Sequence, residues 1–167
     1  MSQLSDEFRT AFRHHPAGVA LITATVDGVP YGLTISSLAS LSIDPVAVSF
    51  SLAKESGAAG AVLAAPSFVI HMLGEEHEDL ANNFARPGAP RFTQGQNFLF
   101  LPTGEPYFED APIAFRSSIH SSVSVGGSRL IAAEVHDILR GNHQQHLLHQ
   151  NRKYLRLSGL FTATHQD

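Results

Sequence analysis

Two long extended segments, separated by a pair of glycines, constrain the fold most strongly. Residues 113–125 and 129–139 are rich in β-branched and alternating side chains and flank Gly126-Gly127. Adjacent glycines between two such segments predict a tight β-hairpin. Because a hairpin pairs neighbouring strands in opposite directions, the chain is expected to be mainly β (α+β), with an antiparallel rather than a parallel sheet.

The rest of the chain predicts a single domain over residues 1–167, with no linker or internal repeat. A second hairpin is expected at Asp27-Gly28 and a turn at Asp44-Pro45. Further strands are predicted at 17–26, 30–37, 46–52, 67–73 and 154–161. Helices are predicted before Pro16, at 57–65 after an N-cap at Ser56, and at 75–85.

Composition excludes several classes of protein. The chain has 167 residues, a net charge of -4 and no cysteine, which excludes disulfides, thiolate catalysis and cysteine-bound metals. Without a long basic segment, nucleic acid is not an expected partner. The N-terminus lacks the apolar core of a signal peptide, and no apolar segment is long enough to span a membrane. These features predict a cytoplasmic protein without a membrane partner.

Hydroxyl side chains are concentrated on two of the predicted strands. The first carries Thr34, Ser36 and Ser37, and the second carries Ser49 and Ser51. Because buried hydroxyls need hydrogen-bond partners, this concentration indicates a polar ligand such as a flat heteroaromatic ring. A strand with one solvated face would give the same alternation.

A turn with the sequence Ser-Leu-Ala-Lys-Glu-Ser follows the second hydroxyl-bearing strand, at residues 51–56. It precedes a helix start, where free N–H groups and a partial positive charge favour phosphate. Lys54 would add a full charge, and the hydroxyls of Ser51 and Ser56 would add donors. The alternative is an exposed turn with an ordinary helix cap.

Two further groups of residues have open interpretations. Phe84, Ala85 and Arg91 could line a cleft, although such a phenylalanine more often belongs to a core. Histidines in the stretch 143–149 are spaced three apart, which on a helix would permit a weak metal site. A polar, pH-sensitive surface is the simpler interpretation, so no metal is predicted. His71 lies in a predicted buried strand and is expected to be hydrogen-bonded in the core.

The motifs together resemble the flavin reductase family, the short NAD(P)H:flavin oxidoreductases that supply reduced flavin to two-component monooxygenases. The resemblance extends over roughly residues 8–157, and it depends on the order and spacing of its motifs. The matching segments are Phe12-Arg13, 16–19, 32–37, 41–45, 51–56, 80–85, Arg91-Phe92 and 152–157.

The resemblance implies an FMN-binding, antiparallel split β-barrel with short flanking helices, which forms a homodimer and serves a partner monooxygenase. It implies FMN or FAD as the flavin and NADH or NADPH as co-substrate. Its strand at Thr34–Ser37 would lie along the flavin ring, and its turn would hold the phosphate. The implied flavin-binding residues are Thr34, Ile35, Ser36, Ser37, Ser51, Leu52, Lys54, Ser56, Phe84, Ala85, Arg91 and Tyr154.

One position departs from the family pattern. Members commonly carry Gly-Asp-His before the strand that matches 130–135, and this chain has Gly126-Gly127-Ser128 there. Ser128 thus occupies the position of a histidine that lies near the nicotinamide. Two alternatives therefore stay open: a flavin enzyme of a specialised biosynthetic pathway that does not use NAD(P)H, and a non-enzymatic dimeric barrel that binds flavin or haem.

Overall fold

A computed structural model describes residues 2–142 and 144–161. The helices in this part are α1 (Gln3–His14), α2 (Gly57–Ala64), α3 (Glu78–Ala85) and α4 (Leu157–Phe161), with short 3-10 turns at Glu75–His77 and Gln94–Gln96. The strands are β1 (Ala17–Gly18), β2 (Ala20–Val26), β3 (Val29–Ile35), β4 (Ala39–Ile43), β5 (Val46–Leu52), β6 (Phe68–Met72), β7 (Phe98–Phe100), β8 (Pro106–Phe108), β9 (Ile113–Val125), β10 (Ser128–Arg140), β11 (Leu147–Gln150) and β12 (Lys153–Arg156). None of these helices is long and apolar enough to cross a membrane.

Seven strands form one antiparallel sheet, in the order β3-β2-β6-β9-β10-β5-β4. The predicted hairpins are confirmed: β9 pairs with β10 from Val125 opposite Ser128 onward, and β2 pairs with β3 around Asp27-Gly28. Asp27 and Gly28 have positive φ angles of 51° and 75°, as a tight two-residue hairpin turn requires. The mainly β prediction with short helices is therefore confirmed.

The first of two core clusters lies between this sheet and α2. Ile22 of β2, Phe50 of β5, Ile131 of β10 and Val62 of α2 are at most 1% exposed and belong to one cluster. Because α2 consists of glycines and alanines with one valine and one leucine, its backbone can approach the sheet closely. The four residues 53–56 connect the end of β5 to the start of α2.

The two edge strands of the large sheet are consecutive in the chain. β3 ends at Ile35 and β4 begins at Ala39, so their ends are at most about 14 Å apart even if the connection is fully extended. The Ser37 hydroxyl also accepts from the Ser51 backbone N–H at 3.0 Å and donates to its carbonyl at 3.3 Å. The sheet must therefore curl until its edges approach each other.

The predicted strand at 154–161 is wrong beyond residue 156. The chain turns there into α4, whose first turn is held by Glu75: the Ser158 backbone N–H donates to this carboxylate at 2.8 Å, and the Ser158 hydroxyl donates to its other oxygen. These hydrogen bonds lower the pKa of Glu75. A contact between residues 83 positions apart in sequence thus decides the local structure.

His71 is confirmed as a hydrogen-bonded core residue. Its ring is fully buried, its Nδ1 lies 3.0 Å from the Leu21 carbonyl and its Nε2 lies 3.0 Å from the Phe108 backbone nitrogen. Because a carbonyl only accepts and an N–H only donates, the ring is neutral with its proton on Nδ1. Burial lowers the pKa of His71 to about 4.

The histidine-rich stretch does not form the helix that a metal site on one face would require. His149 lies in β11, and His146 forms an isolated bridge with Gly74, while His143 is outside the described residues. Over residues 2–142 and 144–161, no group of three or more potential metal ligands comes together.

Candidate functional site

A cleft of about 590 Å³ opens between the β3 edge of the sheet and the end of β5. Its walls are the end of β3 with the residues after it, the turn between β5 and α2, and the segment 84–91. The predicted residues on its surface are Thr34, Ile35, Ser36, Ser37, Ser51, Leu52, Lys54, Phe84, Ala85 and Arg91. The hydroxyl-bearing strand and the predicted phosphate turn therefore face one common space.

The hydroxyls on the first wall differ in what they bind. Thr34 donates to the Ala81 carbonyl of α3 at 2.7 Å, and Ser37 is bonded to the Ser51 backbone. Ser36 makes no side-chain hydrogen bond with the part of the chain that the structure describes. Thr34 and Ser37 thus join the walls of the cleft, and Ser36 keeps its hydroxyl available to a ligand.

The start of α2 forms the opposite wall. Gly57, Ala58 and Ala59 line the cleft, and their N–H groups belong to the first turn of a helix, which has no intrahelical acceptors. Gly57 has φ +61°, and a Cβ on Gly60 would lie 2.7 Å from the Glu55 carbonyl. Glycine at both positions therefore lets the turn fold tightly against the helix start.

Ser56 occupies the predicted N-cap position, but its side chain makes no capping hydrogen bond. It is also absent from the residues that line the cleft. The N-cap prediction is therefore right in position and wrong in mechanism. The small residues after Ser56, whose free N–H groups are the predicted phosphate donors of the helix start, supply the cleft surface instead.

The cleft carries positive charge only. Lys54 and Arg91 are its charged lining residues, and no lining residue is acidic. Lys54 forms no ion pair with any residue in the described ranges. Its neighbour Glu55 is bound elsewhere, with Oε1 2.8 Å from Nη2 of Arg129. With the helix N-terminus beside it, Lys54 makes this end of the cleft favourable for an anion.

Arg91 holds the segment 84–91 against the sheet. Its guanidinium donates to the carbonyls of Gly32 at 3.0 Å, Arg86 at 3.1 Å and Asn83 at 3.4 Å. It also lies 5.7 Å from the centroid of the Phe84 ring, within the range of a cation–π interaction. Three of its five donors are thus used for structure, while its charge still faces the cleft.

Phe84 belongs to the core and to the cleft wall at once. It is 2% exposed and packs against Phe92 and Phe98, with ring centroids 5.1 and 5.7 Å away. A Cβ on Gly32 would lie 2.6 Å from the Phe84 ring and 3.2 Å from the Phe92 ring. Glycine at this position in β3 is therefore what allows the ring to reach the cleft.

Gly32→Ala is expected to destabilise the protein by about 1–3 kcal/mol, because the added methyl overpacks a rigid aromatic cluster. It should also displace Phe84 and distort the cleft. Chemical denaturation followed by fluorescence or circular dichroism would measure the change. Gly18→Ala is a matched control, since a Cβ there meets nothing within 4 Å. Equal stability of the two variants would contradict this account of Gly32.

Besides Ser56, two predicted residues are not on the surface of this cleft. Tyr154 is in β12, which pairs with β11 in a separate three-stranded sheet, and it packs against a second core cluster that includes Phe84 and Phe108. Burial raises the pKa of its hydroxyl. Ser128 is exposed at the start of β10, opposite Val125. Neither is among the residues that line the cleft.

Comparison with known proteins identifies relatives of the whole domain. The family described as the flavin reductase-like domain matches residues 12–158. A protein named NADH:FMN oxidoreductase from Rhodococcus qingshengii is 38% identical over 125 residues, which cover 75% of this chain and 65% of that relative. The chain thus spans slightly less than two thirds of that relative's length.

A second relative is the reductase component of 4-nitrophenol 4-monooxygenase/4-nitrocatechol 2-monooxygenase from Rhodococcus opacus. It is 44% identical over 86 residues, covering 52% of this chain and 46% of the relative. Among solved structures, a flavin reductase domain protein from Arthrobacter sp. FB24 is 30% identical with a TM-score of 0.84, covering 90% of this chain and 94% of that chain. From the match over residues 12–158 and the shared fold, the chain belongs to the flavin reductase-like domain family.

Proposed function

We propose that this protein is an NAD(P)H-dependent flavin reductase that reduces FMN or FAD and supplies the reduced flavin to a partner monooxygenase. One observation carries the proposal: a hydroxyl-bearing strand and a cationic helix start face the same cleft, without any lining carboxylate. The names of the two relatives described above support the activity and the partner class.

The residues of the cleft fit a phosphorylated flavin. A flavin has a flat ring with acceptor atoms along its edge, a hydroxylated chain and an anionic phosphate. The cleft offers an unpaired hydroxyl at Ser36, an aromatic wall at Phe84, and a cation with free N–H groups at Lys54 and the start of α2. Its volume is within the usual range for small-ligand sites.

Each part of the cleft has a distinct task. The segment 34–37 would bind the ring edge, with Ser36 donating to an acceptor atom. Lys54 and the first N–H groups of α2 would bind the phosphate. Leu33, Leu52 and Phe84 would exclude water from the ring. When bound, the flavin supplies the hydride and electron chemistry, so no side-chain nucleophile is required. Ser56 and Tyr154 remain predicted flavin contacts without a position on this wall.

We also propose the finer architecture, a split barrel that forms a homodimer. The three-residue connection between the edge strands favours a nearly closed barrel. An apolar patch on the outer face of the long hairpin favours the dimer, because Val123, Val125 and Leu130 are 58%, 69% and 50% exposed. Leu130 pairs with Ser51, so this patch adjoins the cleft.

Light scattering should give a molecular mass twice that of the chain. Val123→Glu should reduce the measured mass, because it places a charge in the apolar patch.

The activity is tested by mixing the protein with FMN or FAD and then with NADH or NADPH under anaerobic conditions. We expect the visible absorption of the oxidised flavin to disappear with at least one nicotinamide. Oxygen should restore the absorption, which would show that the reduced flavin is reactive. Protein that binds flavin but is not reduced by either nicotinamide would instead support the enzyme class without NAD(P)H.

A further inference from the structure

The salt bridge between Glu55 and Arg129 lies beside the candidate phosphate site and is not part of it. Arg129 directs two donors at one carboxylate oxygen of Glu55, Nε at 2.9 Å and Nη2 at 2.8 Å. Arg129 lies opposite Leu52 in the sheet, so the start of β10 lies beside the turn that carries Glu55. Residues 51–54 and 57–59 line the cleft, whereas Glu55 does not.

This pair contributes little to folding stability. The side chains are 31% exposed for Arg129 and 47% exposed for Glu55, and ion pairs at such positions contribute little because water and salt screen them. Any effect of the pair on ligand binding must therefore depend on where it holds the charge of Glu55. Lys54, the cation of the cleft, is the preceding residue and has no carboxylate partner among the described residues.

An unpaired Glu55 would compete with the ligand. A carboxylate next to Lys54 could turn toward it and form the ion pair that a phosphate would otherwise form. Even without that contact, a free negative charge beside the site would repel a dianionic phosphate. Arg129 removes both effects, since it neutralises Glu55 and holds it outside the cleft.

We infer that Arg129 is a positioning residue for phosphate selectivity: it keeps Glu55 away from Lys54, so that Lys54 stays available to the phosphate of FMN. The inference rests on the proposed function, because it assumes that a flavin phosphate binds at Lys54. It assigns Arg129 no contact with the flavin.

The test compares dissociation constants for FMN and riboflavin in Arg129→Gln, Glu55→Gln and the double variant, by titration of flavin fluorescence. Arg129→Gln should weaken FMN by about fivefold at low salt, from one freed charge near the phosphate. Riboflavin, which lacks the phosphate, should be unchanged. Glu55→Gln and the double variant should bind FMN at least as tightly as the natural protein. Arg140→Gln, on the same strand, is the control for removing one exposed positive charge.

The double variant separates this mechanism from the alternatives. If it binds FMN as weakly as Arg129→Gln, Arg129 acts through the ligand or the backbone and the inference is overturned. Equal weakening of riboflavin would also overturn it, as this indicates a structural effect. If the natural protein does not prefer FMN to riboflavin, the phosphate site of the proposed function itself fails, and this result is visible before any variant is compared.

Discussion

Replacing Lys54 with alanine is expected to weaken FMN binding by about 10- to 100-fold, the range for one charge-assisted hydrogen bond. Lys54 is the cleft cation without a partner in the described structure, while Arg91 already donates to three carbonyls. The loss should therefore fall on the phosphate. Riboflavin has no phosphate, so its affinity should stay within about twofold.

Calorimetry or fluorescence titration with both flavins would measure this difference. Lys153→Ala is a matched control, because Lys153 is the only other lysine of the chain and is exposed on β12. Lys54→Arg should retain part of the FMN preference, since it keeps the charge. If Lys54→Ala weakened both flavins equally, the phosphate would have to bind elsewhere.

Folding stability is expected to fall by about 3 kcal/mol between pH 6.5 and about 4 because of His71, whose pKa falls from 6.5 to about 4 on folding. Above this window the ring is neutral in both states and pH has no effect through it. Within the window the unfolded chain binds a proton that the folded protein excludes, so acid favours unfolding. Below the folded pKa both states are protonated and the loss is complete.

Urea unfolding of the natural protein and of His71→Gln at a series of pH values would isolate this contribution. Glutamine should lower stability at neutral pH, because it fills the site imperfectly, but its pH profile should be flatter across the window. His14→Gln, at an exposed histidine of α1, should keep the natural slope. Parallel profiles for the natural protein and His71→Gln would contradict the assignment.

The sequence predicted those elements whose signals are local. Hairpins depend on the dipeptides at 27–28 and 126–127, and these were located correctly. The segment 39–43 was missed because its serines and the following Asp-Pro indicate a turn, and it is a strand only because β5 pairs with it. The helix at 157–161 was missed because its capping group, Glu75, is distant in sequence.

The candidate site could be predicted in part, because some of its signals are also local in sequence. Hydroxyl clustering and the turn around Lys54 are local patterns, and the residues that carry them line one cleft, except Ser49 and Ser56. Which hydroxyls are already hydrogen-bonded within the protein could not be predicted, because this depends on contacts of Thr34 with Ala81 and of Ser37 with Ser51. Tyr154 was assigned by resemblance alone, and the structure places it in a different sheet.

The short connection at 36–38 limits the distance between the two edge strands of the sheet beside the cleft. Because it joins both edges of the sheet, an insertion there would let β3 and β4 separate and would loosen the contact of Ser37 with Ser51 beside the cleft. The segment 86–91 belongs to no strand, so its length can change without altering strand pairing. Engineering of new ligand preference in this scaffold should therefore vary the segment 86–91 and leave the connection intact.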